Sequence, residues 1–245
     1  MDQVVAQIRE NLEDIQDRMD QAAVKCGRKP SEVQLVVVTK TRPVEVIRAA
    51  ILAGAKLLGE NYPDEAQLKI QELQRENMGG VSWHMIGHVQ SRKARIVADH
   101  FDFLHSLDSV KLANKLEGIL SETGKVLPVL LEFNVGGEES KSGWDANDEG
   151  RWSELLPAVE QILKLKHLAP CGLMTMPPLF GNPEEARPFF RKLRKLREFL
   201  ESQFEGVNLQ NLSMGTSVDF EVAIEEGATF VRIGQAILGA RAPKT

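Results

Sequence analysis

The sequence predicts an α/β fold, a single (β/α)8 barrel of the TIM type with one extra helix at its N-terminus. Two observations predict it. Eight strand-like runs alternate with helical patterns along the 245 residues, and no linker, low-complexity tract or internal repeat interrupts them. Alternation of this kind builds parallel β/α units, and a count of eight is what a closed barrel requires. The main competitor, an open doubly wound sheet, is disfavoured because Thr41-Arg42-Pro43 stands after the first strand where a G-x-G-x-x-G turn would bind a dinucleotide.

Residues 1–30 read as a helical extension packed on a one-domain barrel spanning 1–245. Val4, Ile8, Leu12, Ile15 and Met19 form a helical stripe that ends near the turn signals between Gly27 and Pro30. The strand-like runs follow at 35–41, 56–61, 81–87, 101–107, 126–135, 168–176, 209–214 and 229–233. The first is L-V-V-V-T-K-T, β-branched residues suited to a packed strand, and Pro43 after it can open a helix. Helical patterns lie between at about 44–53, 64–77, 91–99, 110–123, 148–165, 184–204 and 218–226. The basic stretch at 191–197 alternates with Phe189, Phe190, Leu193, Leu196, Phe199 and Leu200 at helical spacing, so its charges read as a solvated face.

Composition narrows the function classes. With 42% hydrophobic and 27% charged residues the chain is ordinary for a soluble globular protein, and a net charge of −5 offers no broad attraction to nucleic acid or anionic membrane. Two cysteines, Cys26 and Cys171, suggest neither a disulfide framework nor a zinc site. No apolar signal core or spanning segment is visible, so the expected location is the cytoplasm.

In a barrel the active face collects the C-terminal ends of the strands. Lys40 closes the first, Asn61 the second, Asn134 the fifth, Met174 to Met176 the sixth, Ser213 the seventh and Arg232 to Gly234 the eighth, with His84 slightly deeper in the third. A lysine at a strand end can simply snorkel to water, but a desolvated lysine has a lowered pKa and attacks carbonyls to form a Schiff base. The seventh and eighth strands end in L-S-M-G-T-S (212–217) and R-I-G-Q-A (232–236). Barrels often bind phosphate there: Ser213, Thr216 and Ser217 offer hydroxyls, while Gly215 and Gly234 allow close approach of backbone N–H groups. The same stretch also fits a capping motif, Thr216 to Asp219. An amine and a phosphate cradle on one face suit a ligand with an aldehyde and a phosphate, and pyridoxal 5′-phosphate carries both. Arg232 either pairs with a carboxylate inside the barrel or faces the pyridine nitrogen, which its donor-only guanidinium would keep unprotonated.

The strings V-V-V-T-K-T (36–41), G-E-N-Y (59–62), W-H-M-I-G (83–87), N-V-G-G-E-E-S-K-S-G (134–143), G-L-M-T-M (172–176), L-S-M-G-T-S-V-D-F-E (212–221) and V-R-I-G-Q-A-I-L-G (231–239) resemble the YggS/PROSC family of pyridoxal phosphate homeostasis proteins. The resemblance implies a fold-type-III barrel like the N-terminal domain of bacterial alanine racemase, with the cofactor on Lys40. It also implies phosphate contacts around Ser213, Ser217 and Gly234, Arg232 near the ring nitrogen, and Asn61 and His84 beside the cofactor. With Gly215 and Gln235 from the same two loops, these residues form the expected cofactor set. Thr216 and Val218 depart from the residues many members carry, which leaves the phosphate contacts of Thr216 open.

A fold-type-III racemase needs a second acid/base, supplied in the racemases by a tyrosine of a C-terminal β domain, and the expectation here is a chain without that domain. Its single tyrosine, Tyr62, reads as rim packing. His84 and His88 share a strand face but lack a third metal ligand, so no metal site is expected. Asp108, Glu132 and Glu60 read as structural partners of Lys and Arg, and Glu138, Glu139 and Lys141 as a loop over the open face. The favoured reading is a monomeric, non-catalytic carrier or regulator, with apo-enzymes that use the cofactor as recipients. By resemblance alone it also influences vitamin B6 and amino-acid or keto-acid balance. The alternatives are a small racemase-like enzyme and a protein-binding barrel whose Lys40 is only structural.

Overall fold

In the computed structural model, which describes residues 1–240, helix α1 (Asp2–Lys25) precedes a closed ring of parallel strands. The strands are β1 (Gln34–Val38), β2 (Leu57–Glu60), β3 (Ser82–Met85), β4 (Phe103–Leu107) and β5 (Leu127–Asn134), then a two-residue strand outside the ring, β6 (Trp144–Asp145), then β7 (Leu168–Met174), β8 (Asn211–Ser213) and β9 (Phe230–Ile233). Ring neighbours run β4-β3-β2-β1-β9-β8-β7-β5, and pairing of β4 with β5 closes it, so the eight-stranded barrel expected from the alternation is present. Around it lie α2 (Val44–Ala53), α3 (Pro63–Arg75), α4 (Ala94–His100), α5 (Val110–Leu120), α6 (Leu156–Leu163), α7 (Arg187–Gln203), α8 (Phe220–Glu225) and a short α9 (Gln235–Leu238).

The period of two places the residues. In β1, Val37 joins the layer between barrel and helices, while Val36 enters a small interior cluster with Ile86, Leu130, Met174 and Phe230. Gly59 makes room for that cluster: a Cβ there would sit 2.8 Å from Val36 Cγ1 and 2.9 Å from Ile86 Cδ1. Lys40 has the parity of Val36 and Val38, which aims it over the barrel mouth rather than into the helix layer.

Helix α1 buries Val5, Ile8, Ile15, Met19, Ala22 and Ala23 against α2, α8 and α9. Val4, expected in the stripe, is 48% exposed in the first turn, whereas Ile8, Ile15 and Met19 of the same stripe are buried. Asn11 Nδ2 donates to Ile237 O at 2.8 Å, and Arg28 Nη1 to Ile224 O and Ala228 O at 2.9 and 2.8 Å, so the extension is tied to the end of the barrel by polar contacts as well.

Other sequence expectations shift at their edges. Neither β6 nor α9 is foreseen by the periodicity, since elements of two and four residues are too short to carry a period. The helix expected from 218 begins at Phe220, because Asp219 turns back onto Thr216. His88 is not on the β3 face with His84: the strand ends at Met85 and His88 is exposed in the loop beyond. Among the described residues, no helix is long and apolar enough to cross a membrane.

Candidate functional site

The loop that carries Lys40 is held on both sides of it. Before it, buried Thr39 donates its hydroxyl to Glu60 Oε1 at 2.8 Å, and its carbonyl accepts from Lys69 Nζ at 3.0 Å. Lys69 reaches Glu60 Oε1 at 2.8 Å and also bonds Glu65. After it, Thr41 N donates to Glu65 Oε1 at 2.7 Å with φ at +60°, a conformation unusual for a β-branched residue. Buried Arg42 donates to the carbonyls of Ala240, at 2.8 Å, and Gly239. Half-buried Lys40 therefore sits in a loop whose flanking residues Thr39, Thr41 and Arg42 are anchored.

A cavity of about 410 Å³ opens at this mouth, lined by Lys40 and Val38 from β1, Asn61 beyond β2, Ile86, Gly87 and His88 beyond β3, and Glu132 from β5. Ser140, Lys141 and Ser142 come from the loop after β5, Met176 follows β7, Thr216 and Ser217 follow β8, and Arg232, Gly234 and Gln235 come from β9 and the start of α9. That size is ordinary for a small-molecule site, which typically spans roughly 300–1,000 Å³. A larger recess of about 650 Å³ lies at the opposite mouth, between α1 and the starts of β1 and β2. Its polar lining includes the scattered helix side chains Arg9, Glu13 and Gln16, so chemistry favours the smaller cavity at the strands' C-terminal ends.

Arg232 is 4% exposed, and neutral acceptors hold it: Ser213 Oγ, the Thr175 carbonyl at 3.0 Å from Nη2, and Met176 Sδ at 2.7 Å. The carboxylate ion pair weighed from sequence does not form among the described residues. Burial lowers its pKa to about 10, with Asp219 and Glu132 opposing from a distance, so it remains cationic at neutral pH.

Glu132 behaves differently from the structural role expected for it. It is 6% exposed, its Oε2 is buried without a hydrogen-bond partner, and burial, reinforced by Asp108, raises its pKa to about 7. Asp108 pairs with His88 Nδ1 at 2.5 Å. Only Glu60 matches the expected carboxylate-to-lysine pairing, and even there burial outweighs Lys69 and raises its pKa. Asn134 organises the loop above: Nδ2 donates to Glu138 O at 2.8 Å and Oδ1 accepts from Gly137 N at 2.9 Å.

The structure brings Lys40, Asn61, Ser217, Arg232, Gly234 and Gln235 to one cavity, with Thr216 beside them. His84, Ser213 and Gly215 do not line it. His84 lies inside the barrel, stacked on Phe103 at 5.1 Å, with Nδ1 2.8 Å from His105 Nε2; Ser213 bonds His105 and Arg232. Gly215, at φ +94°, packs where a Cβ would sit 2.6 Å from Ala223 Cβ. Tyr62 is 52% exposed in a neighbouring recess that shares Asn61 and His88 with the cavity. Sequence reasoning missed His105; its signal was the alternation of Phe103 and His105 along β4, which puts an imidazole on an interior face.

The model of the alanine racemase N-terminal domain matches residues 5–242. The chain is 40% identical over 238 residues to the pyridoxal phosphate homeostasis protein of Vibrio alginolyticus, covering 97% of this chain and 99% of that one. It is 38% identical to the protein of that name in Escherichia coli K12, covering 96% and 97%. The chain belongs to the pyridoxal phosphate homeostasis protein family. Among solved structures, PipY of Synechococcus elongatus is 34% identical, covering 95% of this chain and all of that one. Its structure without PLP aligns at a TM-score of 0.82 and its structure with PLP bound at 0.79. Alanine racemase from Clostridium difficile, 18% identical at a TM-score of 0.65, covers 98% of this chain and 58% of that one, and shares the fold.

Proposed function

We propose that this protein binds pyridoxal 5′-phosphate at the β1–β9 mouth, takes part in its homeostasis, and holds it as a Schiff base on Lys40. The observation that carries the reading is a lysine, a buried guanidinium and a hydroxyl- and glycine-bearing loop pair lining one cavity. That donor set suits the group: Lys40 would meet an aldehyde, while Ser217, Gly234 and Gln235 suit a phosphate. Arg232, a donor only, would keep a ring nitrogen that faced it unprotonated, and Asn61 lines the same cavity. When bound, the cofactor supplies an electrophilic carbonyl and an electron-withdrawing ring. The anchored loop holds Lys40 at the mouth, and Arg232 weakens rather than strengthens that withdrawal, which fits holding better than turnover. In cells the role is that of a cytosolic, non-catalytic carrier or regulator. It serves apo-enzymes as recipients and supports amino-acid and keto-acid balance.

The test is cofactor titration with borohydride trapping. Mass added at Lys40 is expected, and Lys40→Ala is expected to lose the trapped adduct while keeping weak phosphate-held binding. A fully retained adduct in that variant overturns the assignment.

One observation favours a second reading, a proton-transfer enzyme acting on amino acids: Glu132 lines the same cavity with a pKa of about 7, suited to general acid/base work. Exchange of the α-proton across an amino-acid panel, lost in Glu132→Gln, would establish that reading. No exchange across the panel supports the carrier.

A further inference from the structure

A file of polar side chains crosses the barrel interior. Arg232 Nη1 donates to Ser213 Oγ; Ser213 Oγ lies 2.8 Å from His105 Nδ1; His105 Nε2 lies 2.8 Å from His84 Nδ1; and His84 Nε2 lies 3.1 Å from Ser82 Oγ. Ser213 and His105 are fully buried and His84 is 3% exposed, while Ser82 is half-buried at the start of β3. Phe103 and Phe230 box the imidazoles, with His105 ring distances of 4.9 and 5.1 Å.

The proton positions follow from counting. A guanidinium only donates, so Ser213 Oγ accepts from Arg232 and has one proton left to place. If His105 Nδ1 accepts that proton, His105 Nε2–H donates to His84 Nδ1, and His84 Nε2–H donates to Ser82. Every buried nitrogen is then satisfied with both rings neutral. If instead His105 Nδ1 carries a proton, Ser213 accepts twice and its own hydroxyl proton is stranded in the core, a costly arrangement. An imidazolium at either ring forces the same reversal. Burial also disfavours charge on both rings, lowering His84 to about 4 and His105 well below its usual value, with Arg232 adding to the effect at His105.

We infer that Ser213, His105, His84 and Ser82 form a one-way hydrogen-bond chain that fixes the orientation of Arg232, with His105 as its central positioning residue. The chain lets Arg232 be held without a carboxylate, so its positive charge is not neutralised on the barrel side. The inference rests on the proposed function only for what Arg232 faces.

The first test uses the full chain without cofactor, labelled with ¹⁵N-histidine. The protein has five histidines. Two rings are expected to stay neutral with the proton on Nε2 and to show no titration down to about pH 5. A proton on Nδ1 of either ring, or titration of all five, overturns the chain. The second test compares cofactor affinity in His105→Leu and His105→Gln. Leucine is expected to cost about tenfold, since Ser213 loses its acceptor, whereas glutamine can accept from Ser213 and donate to His84 and keeps affinity near the parent. Equal losses in the two variants overturn the positioning role. If the tautomers are as expected and the parent binds no cofactor, the proposed function fails and the chain stands.

Discussion

Glu132 is the residue whose ionisation the fold perturbs most visibly at the cavity. Asp108 faces it as a like charge, and Arg232, His88 and Lys141 oppose with positive charge, but burial dominates and its pKa rises from 4.5 to about 7. A carboxyl whose folded pKa lies above its unfolded value favours folding in its protonated form. Its contribution is complete below about pH 4.5 and is lost as pH rises through 7. Glu132→Gln keeps the neutral shape and removes the titration. The variant's stability relative to the parent should therefore increase between pH 4.5 and 8.5 by about 3 kcal/mol, the energy of that pKa difference. Urea unfolding at the two pH values measures it, and a parallel pH dependence in both proteins would contradict the perturbed carboxyl. At the same scale, Lys40 could be singled out from sequence because a lysine closing a β-branched run is conspicuous. Glu132 reads in the sequence as a structural partner of a cation, yet its Oε2 has none, because whether a strand carboxylate finds a cation depends on which side chains other strands bring beside it.

At the scale of elements, the β2–α3 unit works as a clamp on the loop that bears Lys40. Glu60 is fully buried and shares Lys69 with Glu65, and both Thr39 and Thr41 bond into this group. Removing one member of a buried pair leaves an uncompensated charge, so Lys69→Met should cost about 3–5 kcal/mol, and the double variant with Glu60→Gln should recover much of it. Chemical denaturation of the single and double variants checks the coupling; losses that simply add would show that the pair is not a unit. Helix α1 has a simpler role. Met19 is 1% exposed in its interface, and Met19→Ala should lower stability by about 2–4 kcal/mol through the cavity it leaves. Its amphipathic stripe was readable through Ile8, Ile15 and Met19; Val4, in the first turn, is exposed. The short α9 carried no periodic signal, yet it supplies Gln235 to the cavity.

For the whole molecule, barrel closure gives every strand two neighbours and puts all eight strand ends on one rim. The helix-facing layer is one cluster that draws on all eight ring strands, and the N-terminal extension bonds residues near the barrel's end through Asn11 and Arg28. We expect residues 1–240 to unfold as one unit. Near- and far-ultraviolet circular dichroism should trace coincident denaturation curves, and a separate early transition for α1 would overturn that expectation.

By itself the sequence determined the barrel, the order of its elements and the place of Lys40, Arg232 and the two glycine-bearing loops. Those features depend on local periodicity and on strand ends, which a linear pattern records. Tertiary structure alone decided how the side chains pair. Ser213 could be read as a loop hydroxyl for an anion, but closure brings β4 across from β8 and gives it His105 and Arg232 as partners. Hydrogen bonds between residues 108 positions apart leave no spacing in the chain. Only the ring that joins the strands determines which polar groups meet inside it.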